Sequence, residues 1–265
     1  MHTVVKPEKM KSLLLSCASI LFVYSLCASQ QVVKGTVIII HRCDGSVYVG
    51  ADSKSSGIDN VPLPGAFCKI IVRQGVVFFC SGCSSVSPIY NAMEIANSVV
   101  DKSKTIGQIA VEFRDSIFAR TSALDSIKQT QSELFAKAFV DSTLFNLGIL
   151  KQEGDSICFC SMKFAFARNQ RVELESNIEI GNNIPAPTEF WGKIDALLQA
   201  FQTAHANLLW RQKTPEGIAG EIEELIKLQC GSTPQAVGEP IYVVQISPTV
   251  GVRWLINHQP CSDGF

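Results

Sequence analysis

Residues 36–52, TVIIIHRCDGSVYVGAD, decide the architecture. They read as two strands joined at Asp44-Gly45, the kind of dipeptide that tight hairpins favour. A second hairpin follows over Lys69–Arg73 and Val76–Ser81, turning at Gln74-Gly75 and ending at Gly82. Between them, residues 53–65 (SKSSGIDNVPLPG) are polar, carry Gly and Pro, and read as a loop. Helical spacing then covers 86–101 and 105–124, where Ile106, Ile109, Ala110, Phe113, Ile117 and Phe118 share one face. Residues 125–147 read as further helix, with Leu134, Phe135, Ala138 and Phe139 inward. Strands are expected at 156–168 and 171–180, turning at Asn169-Gln170. Helices are expected at 188–211 and 215–230, the second opened by Thr214, Pro215 and Glu216 as cap and first turn. Two strands, Ile241–Ile246 and Val252–Ile256, close the pattern about a Ser247–Gly251 turn. Antiparallel hairpins with grouped helices imply an α+β fold, two antiparallel sheets sandwiched between helical layers, in one domain.

The 265 residues are 46% hydrophobic and 18% charged, too apolar for disorder. With Lys+Arg 23 against Asp+Glu 24, no cationic surplus exists to neutralise phosphates, so no nucleic acid is expected as partner. Residues 1–29 read as a signal peptide: Lys6, Lys9 and Lys11 precede an apolar run over Leu13–Ala28. The run is short and broken by serines, so the expectation is export to a secreted or periplasmic location, with no membrane attachment after cleavage. Eight cysteines would remain, and export invites at least one disulfide among them. Cys80, Cys83, Cys158 and Cys160 form two close pairs with the ligand chemistry of zinc, but both sit in apolar, strand-like runs where cysteine serves as a small hydrophobe. No cofactor and no metal are expected.

The run Gly35-Thr36-Val37-Ile38-Ile39-Ile40, then Asp44-Gly45, then Gly50-Ala51-Asp52-Ser53, resembles the start of a proteasome β-type subunit, an N-terminal nucleophile (Ntn) hydrolase. Asp52 follows Thr36 by sixteen positions, as the family pattern has it. Lys69-Ile70 comes seventeen after Asp52, one more than the family spacing, and Ser81-Gly82 takes the small-Gly position. The resemblance is good over about residues 35–105 and fair over the closing strands; in between it rests on the order of strands and helices. It implies the four-layer αββα sandwich of the Ntn fold, with residues 30–35 as a short propeptide and 36–265 as the mature domain.

The resemblance also implies a chemistry. A threonine freed at its N-terminus carries its own base, an α-amino group that titrates near 7.7–8.0 in free peptides. A lysine cation beside it favours the neutral amine that can accept the hydroxyl proton. The implied roles are Thr36 as nucleophile and base, Lys69 as electrostatic activator, Asp52 as its partner and Gly82 as oxyanion donor. Val61 and Leu63, in the 53–65 loop, would line the substrate site and accept apolar side chains. The implied partner is a peptide or protein substrate, with a homo-oligomeric ring by analogy. Each residue also has a plain structural role: Thr36 suits a strand, Asp52 a strand end and Gly82 a bend.

Two departures stand against activity. The family serine in a Gly-Ser-Gly stretch has Ile180-Gly181-Asn182-Asn183 as its nearest counterpart, and the aspartate and serine near a Ser-Gly turn have only Cys230-Gly231-Ser232. The rival reading is therefore an inactive scaffold that binds peptides or partner subunits.

Overall fold

The computed structural model describes residues 32–33, 37–57, 67–87, 89–121, 123–124, 143–166, 174–181, 186–202, 210 and 212–257. The expected signal segment 1–29, Thr36, Val61, Leu63 and the inward residues Leu134, Phe135, Ala138 and Phe139 of the expected 125–147 helix lie outside them.

In chain order the elements are β1 (Val32–Val33), β2 (Val37–Cys43), β3 (Ser46–Asp52), β4 (Ile70–Arg73), β5 (Val76–Gly82), β6 (Ser85–Val86), β7 (Tyr90–Asn91), α1 (Ala92–Val99) and α2 (Ile106–Thr121). Then follow β8 (Thr143–Glu153), β9 (Ser156–Phe166), β10 (Leu174–Gly181), β11 (Thr188–Gly192), α3 (Asp195–Gln202), α4 (Pro215–Ser232), β12 (Ile241–Ser247) and β13 (Gly251–Ile256). One five-stranded sheet runs β11-β2-β3-β12-β13 and the other β10-β9-β8-β5-β4; the pairings are antiparallel throughout.

Three apolar layers follow from strict alternation along the strands. Ile38 and Ile40 of β2, Val47, Val49 and Ala51 of β3, and Val77 and Phe79 of β5 meet between the two sheets. The residues between them face outward: Val37 and Ile39 pack under α3 and α4, while Phe78 and Cys80 pack under α1 and α2. Each sheet is thus apolar on both faces, and the stack is helices, sheet, sheet, helices. Both expected hairpin turns are present, with Asp44-Gly45 at φ 49° and 73° and Gln74-Gly75 at φ 51° and 79°, the left-handed pair that a type I′ turn needs. Thr214 caps α4 by accepting from the Gly217 amide, and Pro215 opens the first turn.

Three expectations are corrected. The helix expected over 86–101 begins only at Ala92, where Asn91 caps it, after the short strands β6 and β7. The helix expected through 147 gives way at Thr143 to β8, which pairs with β5 and β9 and forms a hairpin with β9. Phe145, Leu147 and Ile149 of β8 face the α1–α2 layer and Leu150 faces the other sheet, so the strand shows no polar alternation to betray its period. Opposite Phe79 stands Gly148, and a Cβ there would run into the Phe79 ring. The helix expected over 188–211 begins instead with an edge strand, β11, paired to β2; Gly192 at φ 90° ends it before α3. The aromatic-rich TEFWG segment suits a strand.

Cys68 is disulfide-bonded, while Cys43, Cys80, Cys83, Cys158, Cys160 and Cys230 carry thiols. Cys80, Cys83, Cys158 and Cys160 all sit in the α1–α2 core layer. Among the described residues no three His, Cys, Asp or Glu side chains gather as a metal site.

His41, on β2, is buried in a ring stack on Trp210 (centroids 3.6 Å apart, 6° between planes) with Nδ1 2.9 Å from Thr188 Oγ1. Burial, helped by the Lys213 charge and opposed by the Pro187 carbonyl, lowers its pKa from 6.5 to about 4. The unfolded chain therefore binds the proton first, and stability is lost as pH falls from 6.5 towards 4. Comparing urea unfolding of wild type and His41→Phe across that window should show the wild type losing about 3 kcal/mol more.

Candidate active site

Strand ends bring the charged residues together. Asp52 is the last residue of β3 and stands opposite Ile241 of β12. Lys69 immediately precedes β4, in the facing sheet, where its carbonyl accepts from the Cys80 amide at 3.1 Å. Lys69 Nζ lies 2.8 Å from Asp52 Oδ1, and both side chains are sealed from solvent. The same Oδ1 accepts from the Val37 amide at 2.9 Å. Oδ2 accepts from the Lys54 and Gly238 amides, each at 3.1 Å. A carboxylate offers about four acceptor positions, and these four bonds fill them. Lys69 Nζ donates a second bond to the Lys54 carbonyl.

Taking both ions out of water costs several kcal/mol each, which the charge-assisted bonds offset. Burial lowers the Lys69 pKa, while the charge and hydrogen bond of Asp52 act to raise it. Cys230, near the C-terminus of α4, senses both ions. Burial pushes its thiol up to about 11; the Asp52 charge adds to that rise and Lys69 opposes it. Such a thiol is protonated at neutral pH and is no nucleophile there.

Gly82 closes β5 at φ 100°, a backbone that L side chains rarely adopt. A Cβ there would stand 2.9 Å from both the Leu144 carbonyl oxygen and Phe145 Cα, so the bend has room only for glycine. Asp52 and Lys69 are thus brought into contact, and Gly82 lies two residues along β5 from the Cys80 amide that holds Lys69. Of the stretches nearest the resembled family's other polar groups, Ile180 and Ser232 are exposed, and Asn182 and Asn183 lie outside the described residues.

Several groups at the site carry no sequence signal. The Val37 and Gly238 amides and the Lys54 carbonyl act through the main chain, for which residue type is silent. The hydroxyls of Ser53, Ser55 and Ser81 were legible only as polar loop or strand residues. They are 0%, 0% and 1% exposed and make no hydrogen bond. A buried hydroxyl left without a partner costs about 1–3 kcal/mol, so three around one ion pair call for an explanation.

No family model matches the sequence, and no curated protein does. Among solved structures, a Gly-1 mutant of Anbu from Hyphomicrobium sp. strain MC1 is similar, with a TM-score of 0.51 and 14% sequence identity. The match covers 84% of this chain and 87% of that one. Fold and neighbour together define a proteasome-like α+β sandwich. At this identity the likeness concerns the fold alone.

Removing one ion of a buried pair strands the other, at a typical cost of about 3–5 kcal/mol. Asp52→Ala also strands three backbone amides and should destabilise more than Lys69→Met, by a margin readable in the urea midpoint. Equal loss in the two variants would mean that the amides contribute nothing beyond the ion pair.

Proposed function

We propose that the chain is a threonine-type peptidase or amidase that hydrolyses amide bonds through Thr36. One observation supports this most directly: the Val37 amide nitrogen and Lys69 Nζ share Asp52 Oδ1, at 2.9 and 2.8 Å. Residue 36 is bonded through its carbonyl carbon to that nitrogen, so the nucleophile would be tethered one residue from the buried cation.

In this reading the Thr36 hydroxyl attacks the substrate carbonyl carbon and its proton passes to the α-amine. The Gly82 N–H stabilises the resulting oxyanion; loss of such a donor costs about 2.7–4 kcal/mol of barrier. Collapse expels the leaving amine, which takes the proton and leaves an ester on Thr36. Water, deprotonated by the Thr36 α-amine, then attacks the ester; collapse releases the acyl part of the substrate as a carboxylic acid, and the proton returns to the Thr36 oxygen. Lys69 helps by disfavouring a second positive charge on the amine, so that the base stays neutral near pH 7. Val61 and Leu63 would meet the apolar side chain of the substrate, and an export signal over 1–29 belongs to the same proposal.

The leader supports the maturation step. Val32 pairs with Val86 and Val33 with Ser85, in a small sheet just past Gly82. Residues 32 and 33 thus lie against the segment that follows Gly82, the oxyanion donor of this reading. Attack of the Thr36 hydroxyl on the Gly35 carbonyl carbon would break the Gly35–Thr36 amide, freeing the amine and leaving the leader as an ester on Thr36, which water would then hydrolyse.

Mass spectrometry of the isolated protein should find a chain beginning at Thr36. Hydrolysis of labelled peptides should fall by roughly 10³-fold or more in Thr36→Ala. A chain that begins earlier, or a variant as active as the wild type, would sink the reading and leave the inactive scaffold.

A further inference from the structure

The inward positions of β5 are Val77 and Phe79, both in the layer between the sheets. The next position on that face is Ser81. Its hydroxyl is 1% exposed and makes no hydrogen bond, one residue before Gly82 and one after the Cys80 amide that holds the Lys69 carbonyl. It is therefore aimed into the inter-sheet space at the end where Asp52 and Lys69 meet. Residue 36 is bonded through its carbonyl carbon to the Val37 nitrogen, which shares Asp52 Oδ1 with Lys69 Nζ.

We propose that Ser81 is a positioning residue for the α-amine of Thr36, a role that rests on the hydrolase reading above. Before cleavage of the Gly35–Thr36 bond the nitrogen of residue 36 carries a single N–H. Cleavage turns it into an amine with at least two, and the added donor calls for an acceptor. Ser81 Oγ is an acceptor with no donor in the uncleaved chain. By accepting one N–H, it turns the nitrogen lone pair towards the threonine hydroxyl, the alignment that proton transfer demands. The position that leaves a hydroxyl unpaired in the uncleaved chain would thus be filled by maturation. Ser81 forms no bond to substrate and acts only through Thr36.

The sign of the pH effect follows. A hydroxyl that accepts from the amine favours its protonated form slightly, so removing it lowers the amine pKa. Mature Ser81→Ala should show a kcat reduced about 10- to 100-fold with KM unchanged. The acid limb of its kcat/KM profile should move to lower pH, and its thermal midpoint should equal or exceed the wild type's, because an unpaired buried hydroxyl has been deleted. Ser81→Cys, close in size and a weaker acceptor, should fall between the two in kcat.

Unchanged kcat and acid limb in Ser81→Ala, with Thr36→Ala inactive, would overturn the positioning role while leaving the hydrolase reading intact. A lowered thermal midpoint in both Ser81 variants would assign the hydroxyl to the fold and overturn it likewise. An inactive wild type would overturn the hydrolase reading, and this role with it.

Discussion

A carboxylate and an ammonium closed off from water tie the two sheets together at one end of the sandwich. Asp52 ends a strand of one sheet and Lys69 leads into a strand of the other, so their contact spans the inter-sheet gap. The carboxylate also gathers the start of β2 through Val37, the turn after β3 through Lys54, and the approach to β12 through Gly238. An ion pair buried this deeply has little net value as glue, because desolvation consumes most of its attraction. Its structural effect is positional: with every acceptor site of Asp52 filled, the four segments have one mutual arrangement that leaves no charge stranded.

That arrangement ends the apolar core and begins a polar mouth. Along β3 the inter-sheet positions run Val47, Val49, Ala51, and along β5 they run Val77, Phe79. The next residues in the two successions are Ser53 and Ser81, so both strands change from hydrocarbon to hydroxyl at the same end. The opposite ends carry the tight turns at Asp44-Gly45 and Gln74-Gly75, whose residues are exposed and meet water directly. The sandwich therefore has one end closed by turns and one end where unsatisfied polar groups surround a buried charge. Stability argues against such hydroxyls, since alanine would spare their desolvation. Their presence is the kind of local conflict expected where a scaffold serves a site.

Much of the frame was legible in the sequence because β2, β3, β4 and β5 are hairpin pairs with Gly at the turns, and local turn chemistry reports itself. The Asp52–Lys69 contact was legible only through spacing, since seventeen residues and a loop separate its members. The β8 strand was hidden because burial on both faces removes the alternation that distinguishes a strand from a buried helix. The β11 strand was hidden because a short edge segment runs straight into helix α3, which lent its periodicity to the whole stretch. Main-chain partners such as the Gly238 amide could not be read at all, for no side chain announces them.

Shared architecture at 14% identity shows that many different side chains can build this sandwich, so the fold by itself says little about reaction. What discriminates is where polar groups converge. Of the stretches nearest the resembled family's auxiliary serine and aspartate, the first begins at the exposed Ile180, and at the end of α4 Ser232 is exposed and Cys230 holds its proton. On the proposed hydrolase reading, the described residues offer support for a proton transfer near Lys69 on the strands that carry Asp52 and Gly82 themselves. Those strands are paired on both edges and packed on both faces. A hydroxyl borne there is fixed in direction more tightly than one on a loop, and direction is what a base and its proton donor need.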